Sequence, residues 1–283
     1  MTQPVFPLYE LTPLGTNALK RLGKRIGARE TLCPDEQDLY RAFISDAQTR
    51  MNAMLSVIGA IRDGAAVRLP RLESAEIVGR VKTLSTLADK LERDPTQKLP
   101  SVHDVVGIRI VAPMSRLEQT IVVDALCTVF DDTVQCTRRA DVIDRIGQPS
   151  FGYRATHIVV WPSGRPIEIQ VRTELQHAWA QQMEAFGDAW GREVRYGHPM
   201  KGSPSQIEER ETVRKAMMAI SDAISAHEEK NKLLGAEHIA FSSEDWDPQI
   251  STALGKWIEN NRESAKRDEG LLKELLGSLN DVV

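Results

Sequence analysis

The chain has 283 residues, 27% of them charged and 41% apolar, and a formal charge of −4. That length allows one large domain or a core domain with helical additions, and the balance is ordinary for a soluble globular protein. Three scattered cysteines (Cys33, Cys127, Cys136) form no CxxC and no metal-ligand spacing, which predicts buried small hydrophobes in a reducing cytoplasm.

The opening Met1-Thr2-Gln3-Pro4 offers neither a basic nor an apolar leader region, and no run approaches the ~18 apolar residues of a membrane span. The expectation is a cytoplasmic protein with no membrane partner. After this proline-containing start, Leu19 to Arg25 reads as a short basic helix. Leu39, Phe43, Ala47, Met51, Leu55 and Ile58 then recur at helical spacing in a long amphipathic helix that ends near Asp63-Gly64. A further helix is predicted from Ser74 to about Arg93, stopped by Asp94-Pro95.

The middle third changes character. Val105–Val111 reads as a strand closed by Pro113, Leu117–Phe130 as a helix, and Thr133–Ile146 as one or two strands. Ala155–Trp161 and Pro166–Arg172 pair across Ser163-Gly164 as a hairpin, and Glu174 to about Ala189 is a helix. Ile207, Val213, Met217, Ile220 and Ile224 give a helix after Ser203-Pro204, with two shorter ones after Pro248 and Gly270 and a hinge at Phe241–Pro248. The whole predicts an α+β fold: a mixed or antiparallel sheet of about five strands flanked by helices, with helical N- and C-terminal extensions. Its divisions fall at 1–73, 74–198 and 199–283.

Charge is uneven. Residues 80–116 hold seven Lys/Arg against four Asp/Glu, 138–172 hold six against three, and 204–283 hold ten against sixteen. A locally cationic site in an acidic protein suggests a phosphorylated ligand. Walker loop, GxGxxG and the Gly-Ser plus paired aspartates of a polymerase-type nucleotidyltransferase are all missing from the sequence, and Asp245-Trp246-Asp247 reads as an acidic loop. Any nucleotide must then be held by side chains.

The richest stretch is Ile167-Glu168-Ile169-Gln170-Val171-Arg172-Thr173. As a strand it puts Glu168, Gln170 and Arg172 on one face and Ile167, Ile169 and Val171 on the other. A carboxylate beside an amide and a guanidinium can take a proton, hold a metal or grip a phosphate. Such a sheet would be polar on its working side, as in an open antiparallel sheet with helices on one face only. Upstream, Arg80, Lys82 and Lys90 are expected along the predicted 74–93 helix, with Lys82 and Lys90 roughly on one face. Arg109 interrupts an apolar strand, where it needs a partner or a ligand, and Asp104 stands at that strand's entrance. The plainer alternative is a solvated helix face and a structural ion pair.

Five blocks in order shift that balance: Gly79-Arg80-Val81-Lys82-Thr83, Lys90-Leu91, Asp104 to Ile110, Gly152-Tyr153-Arg154-Ala155-Thr156-His157 and Glu168 to Thr173. Over residues 74–198 the chain resembles the synthetase domain of the RelA/SpoT-type alarmone synthetases. The family's hydrolase domain has no counterpart ahead of these blocks and its regulatory domains none behind, so the resemblance implies a small, single-function synthetase. It implies transfer of the β,γ-pyrophosphate of ATP to the ribose 3′-hydroxyl of GDP or GTP, making the alarmone (p)ppGpp and leaving AMP. Arg80 and Arg109 would lie against adenine, and Lys82 and Lys90 would hold the triphosphate. Asp104 would bind Mg²⁺, and Glu168 would activate the hydroxyl, complete the metal shell, or both. Tyr153 would stack on the acceptor base, with Arg154, His157, Gln170 and Arg172 contacting the acceptor or orienting its neighbours.

Two departures matter. The approach to Gly152-Tyr153 is Pro149-Ser150-Phe151 where guanosine-alarmone makers often have Lys-Pro-Asn, and the helix after the motif strand, Leu175 to Glu184, lacks a Glu-His pair. In these it is more similar to the toxic branch of small synthetases, some of which pyrophosphorylate the 3′ end of tRNA. A tRNA acceptor would suit the basic cluster Lys20, Arg21, Lys24, Arg25 and Arg29, and a toxin would need an antitoxin partner. A catalytically silent nucleotide-sensing module is the third reading, and the terminal helices are expected to build a homo-oligomer or dock a partner.

Overall fold

The computed structural model describes residues 14–63, 71–133, 136–235 and 248–279. The opening leader, Gly64, the Phe241–Pro248 hinge except Pro248, and Asp245-Trp246-Asp247 lie outside the described residues.

Two helices come first: α1 (Thr16–Gly27) and α2 (Pro34–Arg62). Then follow β1 (Glu76–Val81), α3 (Leu84–Arg93), β2 (Val106–Ala112), α4 (Arg116–Thr133), β3 (Asp141–Asp144), β4 (Thr156–Val160) and β5 (Ile167–Thr173). The chain closes with α5 (Glu174–Trp190), α6 (Glu193–Tyr196), α7 (Pro204–Lys230) and α8 (Pro248–Ser278). The five strands form one mixed sheet in the order β1-β2-β5-β4-β3. Only β2 and β5 run parallel; the other neighbours are antiparallel. The α+β expectation with about five strands stands.

Alternation explains the sheet's position. Ile108, Ile110, Ile158, Val160, Ile167, Ile169 and Val171 point into a core shared with α1, α2, α3 and α4, and each is almost fully buried. Burying a side chain of that size contributes about 1.5–3 kcal/mol. A second apolar cluster joins Leu175, Trp179, Met183 and Phe186 of α5 to Met217, Ile220 and Ile224 of α7 and Leu276 of α8. α5 also contacts β2 and β5, so the sheet carries helices on both sides, not on one face only. A buried ion network steadies the β4–β5 turn: Arg165 reaches Asp46 of α2 at 2.7 Å, and Arg50 bonds both Asp46 and the Pro162 carbonyl.

The expected helix from Ser74 to Arg93 is instead a strand and a helix. Residues 76–81 pair with β2 from Glu76↔Val111 to Val81↔Val106. Gly79 lies against α2, where a Cβ would come within 2.9 Å of Met51 Sδ, and β-branched Ile77, Val78 and Val81 favour the extended chain. Thr83 starts α3 by accepting the Thr86 N–H. Arg80 therefore sits on a strand, Lys82 just past it and Lys90 on a separate helix. Among the described residues of the 133–146 region there is one strand, β3, plus an isolated bridge, Cys136↔Pro162. The two short helices expected after Pro248 and Gly270 are one, α8, which runs through Gly270. Cys33 is exposed at the start of α2, against the expectation of burial, while burial pushes the Cys127 thiol up to about 11.

Candidate active site

The polar side of the sheet is built row by row. Strand pairing aligns Arg80, Gly107 and Glu168 in one row and Val78, Arg109, Gln170 and His157 in the next. Side chains opposite one another on paired strands share a face. Gly107 therefore leaves open floor between the Arg80 guanidinium and the Glu168 carboxylate; a Cβ there would have no neighbour nearer than Arg80 Cγ at 3.9 Å. Arg80, Asp104, Glu168, Gln170 and Arg172 line one continuous cleft, reached on one side by Arg109 and on the other by Tyr153 and His157. The larger part of this cleft holds about 840 Å³ of empty space.

On the β1–β2 side, Asp104 is clamped by both lysines, Lys90 Nζ at 2.6 Å and Lys82 Nζ at 3.2 Å. Lys82 is anchored through its own backbone, whose N–H donates to the Val105 carbonyl at 2.9 Å. Arg80 is exposed and has no ion pair among the described residues. Among the described residues Arg109 has Glu76 alone as ion partner, at 3.7 Å, and its buried Nε has no acceptor. Arg80 thus presents its guanidinium to solvent at the cleft, whereas Arg109 keeps a buried donor unmet and is held in place by its strand.

On the β4–β5 side five residues close a ring of hydrogen bonds. Arg172 Nη2 donates to Gln170 Oε1 (2.6 Å) and to Tyr153 Oη (2.9 Å), and Gln170 Nε2 donates to Glu168 Oε2 (2.9 Å). His157 sits between Tyr153 Oη (Nε2, 2.8 Å) and Glu168 Oε1 (Nδ1, 2.9 Å). An ionised carboxylate only accepts, so Nδ1 carries a proton in either charge state of the ring. Glu168 and His157 are each 12% exposed. Burial pushes the Glu168 carboxyl up, but the His157 hydrogen bond and charge, the Gln170 amide and Lys90 outweigh it and hold the group down at about 2. Burial raises the Tyr153 phenol, against Arg172, whose guanidinium also lies over the ring at 5.0 Å.

Of the residues singled out in the sequence, Arg80, Lys82, Lys90, Asp104, Arg109, Tyr153, His157, Glu168, Gln170 and Arg172 are brought together. Arg154 is not. Its guanidinium bonds Ser221 Oγ (3.0 Å), the Ile146 carbonyl (2.8 Å) and Asp222 (2.7 Å), tying the Gly152 loop to α7. Gly152 itself has φ 79°, and a Cβ there would meet Trp179 at 2.7 Å and Met218 at 2.9 Å, so only glycine fits. The cleft also has a wall that sequence reasoning missed: Phe151, Trp179, Met183, Glu184, Arg195 and Tyr196. Arg195 Nε is another buried donor with no acceptor, and Phe151 holds a left-handed backbone, φ 50°. Phe151 stands in the departing approach to the Gly152-Tyr153 motif, while Arg195 belongs to no periodic pattern or recognisable motif. In the basic cluster of α1, Arg25 is bonded to Glu30 and Glu36, and Arg29 to Asp89 and Glu92.

Among the described residues no cluster of three or more His, Cys, Asp or Glu side chains is placed to hold a metal, and no helix is long and apolar enough to cross a membrane. The pair Asp104 and Glu168 on one cleft fits Mg²⁺, a cation that keeps several waters and takes one or two carboxylates together with substrate phosphates.

Residues 79–186 match the family model described as the region found in RelA / SpoT proteins. Over 198 residues the chain is 30% identical to the uncharacterized protein Rv1366 of Mycobacterium tuberculosis and to the uncharacterized protein Mb1401 of Mycobacterium bovis. Each match covers 68% of this chain and 66% of the relative, so the chain spans just under two thirds of their length. Small alarmone synthetase 1 of Bacillus subtilis, solved bound to its product pppGpp, superposes with a TM-score of 0.50 at 21% identity, over 68% of this chain and 94% of that one. Small alarmone synthetase 2 of the same organism superposes at 0.48 and 17% identity, over 68% and 98%. At 21% identity the likeness to synthetase 1 speaks for the fold alone. Residues 79–186, whose strands build both sides of the cleft, carry the region found in RelA/SpoT proteins.

Proposed function

We propose that the chain is an ATP-dependent pyrophosphokinase that transfers the β,γ-pyrophosphate of ATP to the 3′-hydroxyl of GDP or GTP. The observation that carries this reading is the placement of Asp104 with two lysines on one side of Gly107 and of Glu168 within its ring on the other. Cationic side chains and carboxylates on opposite banks of one cleft suit a polyphosphate that must be held and a hydroxyl that must be aimed at it. The proposed transferring unit is residues 74–198, between helical regions at 1–73 and 199–283.

Arg80 and Arg109 would stack on the adenine, since Arg80 is exposed in the cleft and the Arg109 Nε has no acceptor. Lys82 and Lys90 would move from Asp104 onto the triphosphate, so that Asp104 and Glu168 are left to hold Mg²⁺. When bound, that ion would neutralise charge on the phosphate oxygens. Glu168 would act as a fixed negative charge that accepts the hydrogen bond of the 3′-hydroxyl and aligns it. A carboxylate held at about 2 keeps a proton poorly, so orientation and electrostatics would outweigh proton abstraction. Tyr153 would present a ring face to the acceptor base, its hydroxyl fixed by His157 and Arg172.

The test is to incubate purified protein with γ-labelled ATP and, separately, GDP, GTP and deacylated tRNA. Label on GDP or GTP is expected. Label confined to tRNA would replace the acceptor, and no transfer to any of the three would leave a nucleotide-sensing module. Asp104→Asn should lose activity that added Mg²⁺ restores poorly.

A further inference from the structure

A second cleft opens where the first turns of α4 and α5 meet the end of α7 and the middle of α8. It holds about 870 Å³ of empty space, part of it open to solvent, and shares no lining residue with the candidate active site.

The carboxylates around it are engaged within the protein. Glu118 accepts the Ser115 N–H at 2.7 Å and meets Arg71 at 3.4 Å. Glu174 and Glu269 share Lys273, at 2.7 and 2.8 Å. Glu228, buried, accepts from Thr173 Oγ1 at 2.5 Å and Gln176 Nε2 at 2.9 Å. Two cations are not so engaged. Lys266 is exposed on α8 and has no ion pair among the described residues. Among the described residues Arg116 reaches Glu228 alone, at 3.9 Å, and its buried Nε has no acceptor. Arg71 adds a third positive group and holds a left-handed backbone at φ 67°, which a non-glycine residue keeps only where its surroundings over-determine it.

We propose that this cleft is a binding site for a small phosphorylated molecule, anchored by Arg116 and Lys266. A buried guanidinium N–H without an acceptor costs stability that an incoming oxygen recovers. A phosphate dianion offers three acceptor oxygens to a forked guanidinium and an ammonium, and matches their summed charge. The site connects to the first cleft through one side chain: Glu228 holds Thr173, the residue that follows Arg172 on β5 and caps α5. An anion on Arg116 removes the weak Glu228 partner and alters the charge felt at the end of the strand that carries Glu168, Gln170 and Arg172. The binding does not depend on pyrophosphate transfer.

The experiment is calorimetric titration of inorganic phosphate into the full chain. Binding is expected in the wild type and in a Lys82→Ala/Lys90→Ala double variant, which removes the phosphate-holding groups proposed for the first cleft and leaves Arg116 and Lys266 untouched. Lys266→Glu should weaken it by about tenfold, since a reversed charge repels the anion that the native one attracts. Lys266 is exposed, so this variant should keep the wild-type melting temperature; Arg116→Gln should weaken binding as well. Hydrogen exchange at Thr173–Gln176 should change when phosphate is added to the double variant. The proposal is overturned if phosphate does not bind at millimolar concentration, if Lys266→Glu and Arg116→Gln both bind as the wild type does, or if the double variant alone abolishes binding.

Discussion

Glu168 and Glu228 are both buried and both accept two hydrogen bonds, yet their carboxyl groups are displaced in opposite directions. Burial pushes each of them up. At Glu168 it is overcome by His157, Gln170 and Lys90, and the group falls to about 2. At Glu228 the hydrogen-bonding neighbours are a neutral hydroxyl and a neutral amide, the nearest guanidinium is 3.9 Å away, and burial prevails. Hydrogen bonds alone therefore do not make a buried carboxyl anionic; cationic or ionisable donors at contact distance do. One carboxylate is poised as a permanent negative charge, while the other carries a burial cost that its partners do not offset.

The largest expected effect is at Glu168. Glu168→Gln should lower transfer to GDP or GTP by about 10²–10⁴-fold while ATP binding stays nearly intact, measured with labelled ATP and by equilibrium binding. Turnover within about tenfold of wild type, roughly 1.4 kcal/mol, would take Glu168 out of the catalytic role. Next come the flanking residues. Arg109→Ala should weaken ATP about tenfold or more; an unchanged affinity would make Arg109 a structural partner of Glu76. Tyr153→Ala should cost about 1–3 kcal/mol of acceptor interaction. Tyr153→Phe, which keeps the ring and opens the hydrogen-bond cycle, should cost about 0.5–1.5 kcal/mol.

Stability against pH gives the smallest and most direct test of the contrast. A lowered carboxyl such as Glu168 contributes stability above the ordinary carboxylate range and loses it as pH falls toward 2. The melting-temperature gap between wild type and Glu168→Gln should thus shrink on acidification. A raised carboxyl such as Glu228 contributes in the other sense: its stabilisation is present at low pH and lost as pH rises through its folded value. Glu228→Gln should therefore gain on the wild type as pH rises, by about 1 kcal/mol or less. Parallel pH profiles for the two variants would mean that the two environments do not differ as their partners suggest.

Much of this arrangement was legible because it repeats with a simple period. The alternation in Ile167–Thr173 predicted which face each side chain takes, and the structure puts Glu168, Gln170 and Arg172 together with their neighbours across β2 and β4. The stretch 74–93 misled because Ile77, Val81, Leu84, Leu87, Ala88 and Leu91 are spaced for a helix, while the pairing of residues 76–81 with β2 depends on contacts distant in sequence. Arg154 lies next to Tyr153 in a motif, but adjacent residues on an extended chain point apart, and its guanidinium goes to α7. The wall of Phe151, Arg195 and Tyr196 comes from a loop and a one-turn helix, and its position depends on how α5 packs, which no local pattern encodes.

The parallel pairing of β2 with β5 has a consequence for how the molecule comes into being. Every β2–β5 partnership, such as Gly107 with Glu168, spans an intervening helix and two strands, so the chain must close a long loop before any of it forms. Contacts between residues so far apart in sequence are slow to nucleate. The two banks of the cleft therefore meet only when the centre of the sheet zips shut. A nascent or partly unfolded chain should hold the arginines of one bank and the carboxylate ring of the other as separate fragments, and the complete cleft should appear late and all at once, with the last cooperative step of folding.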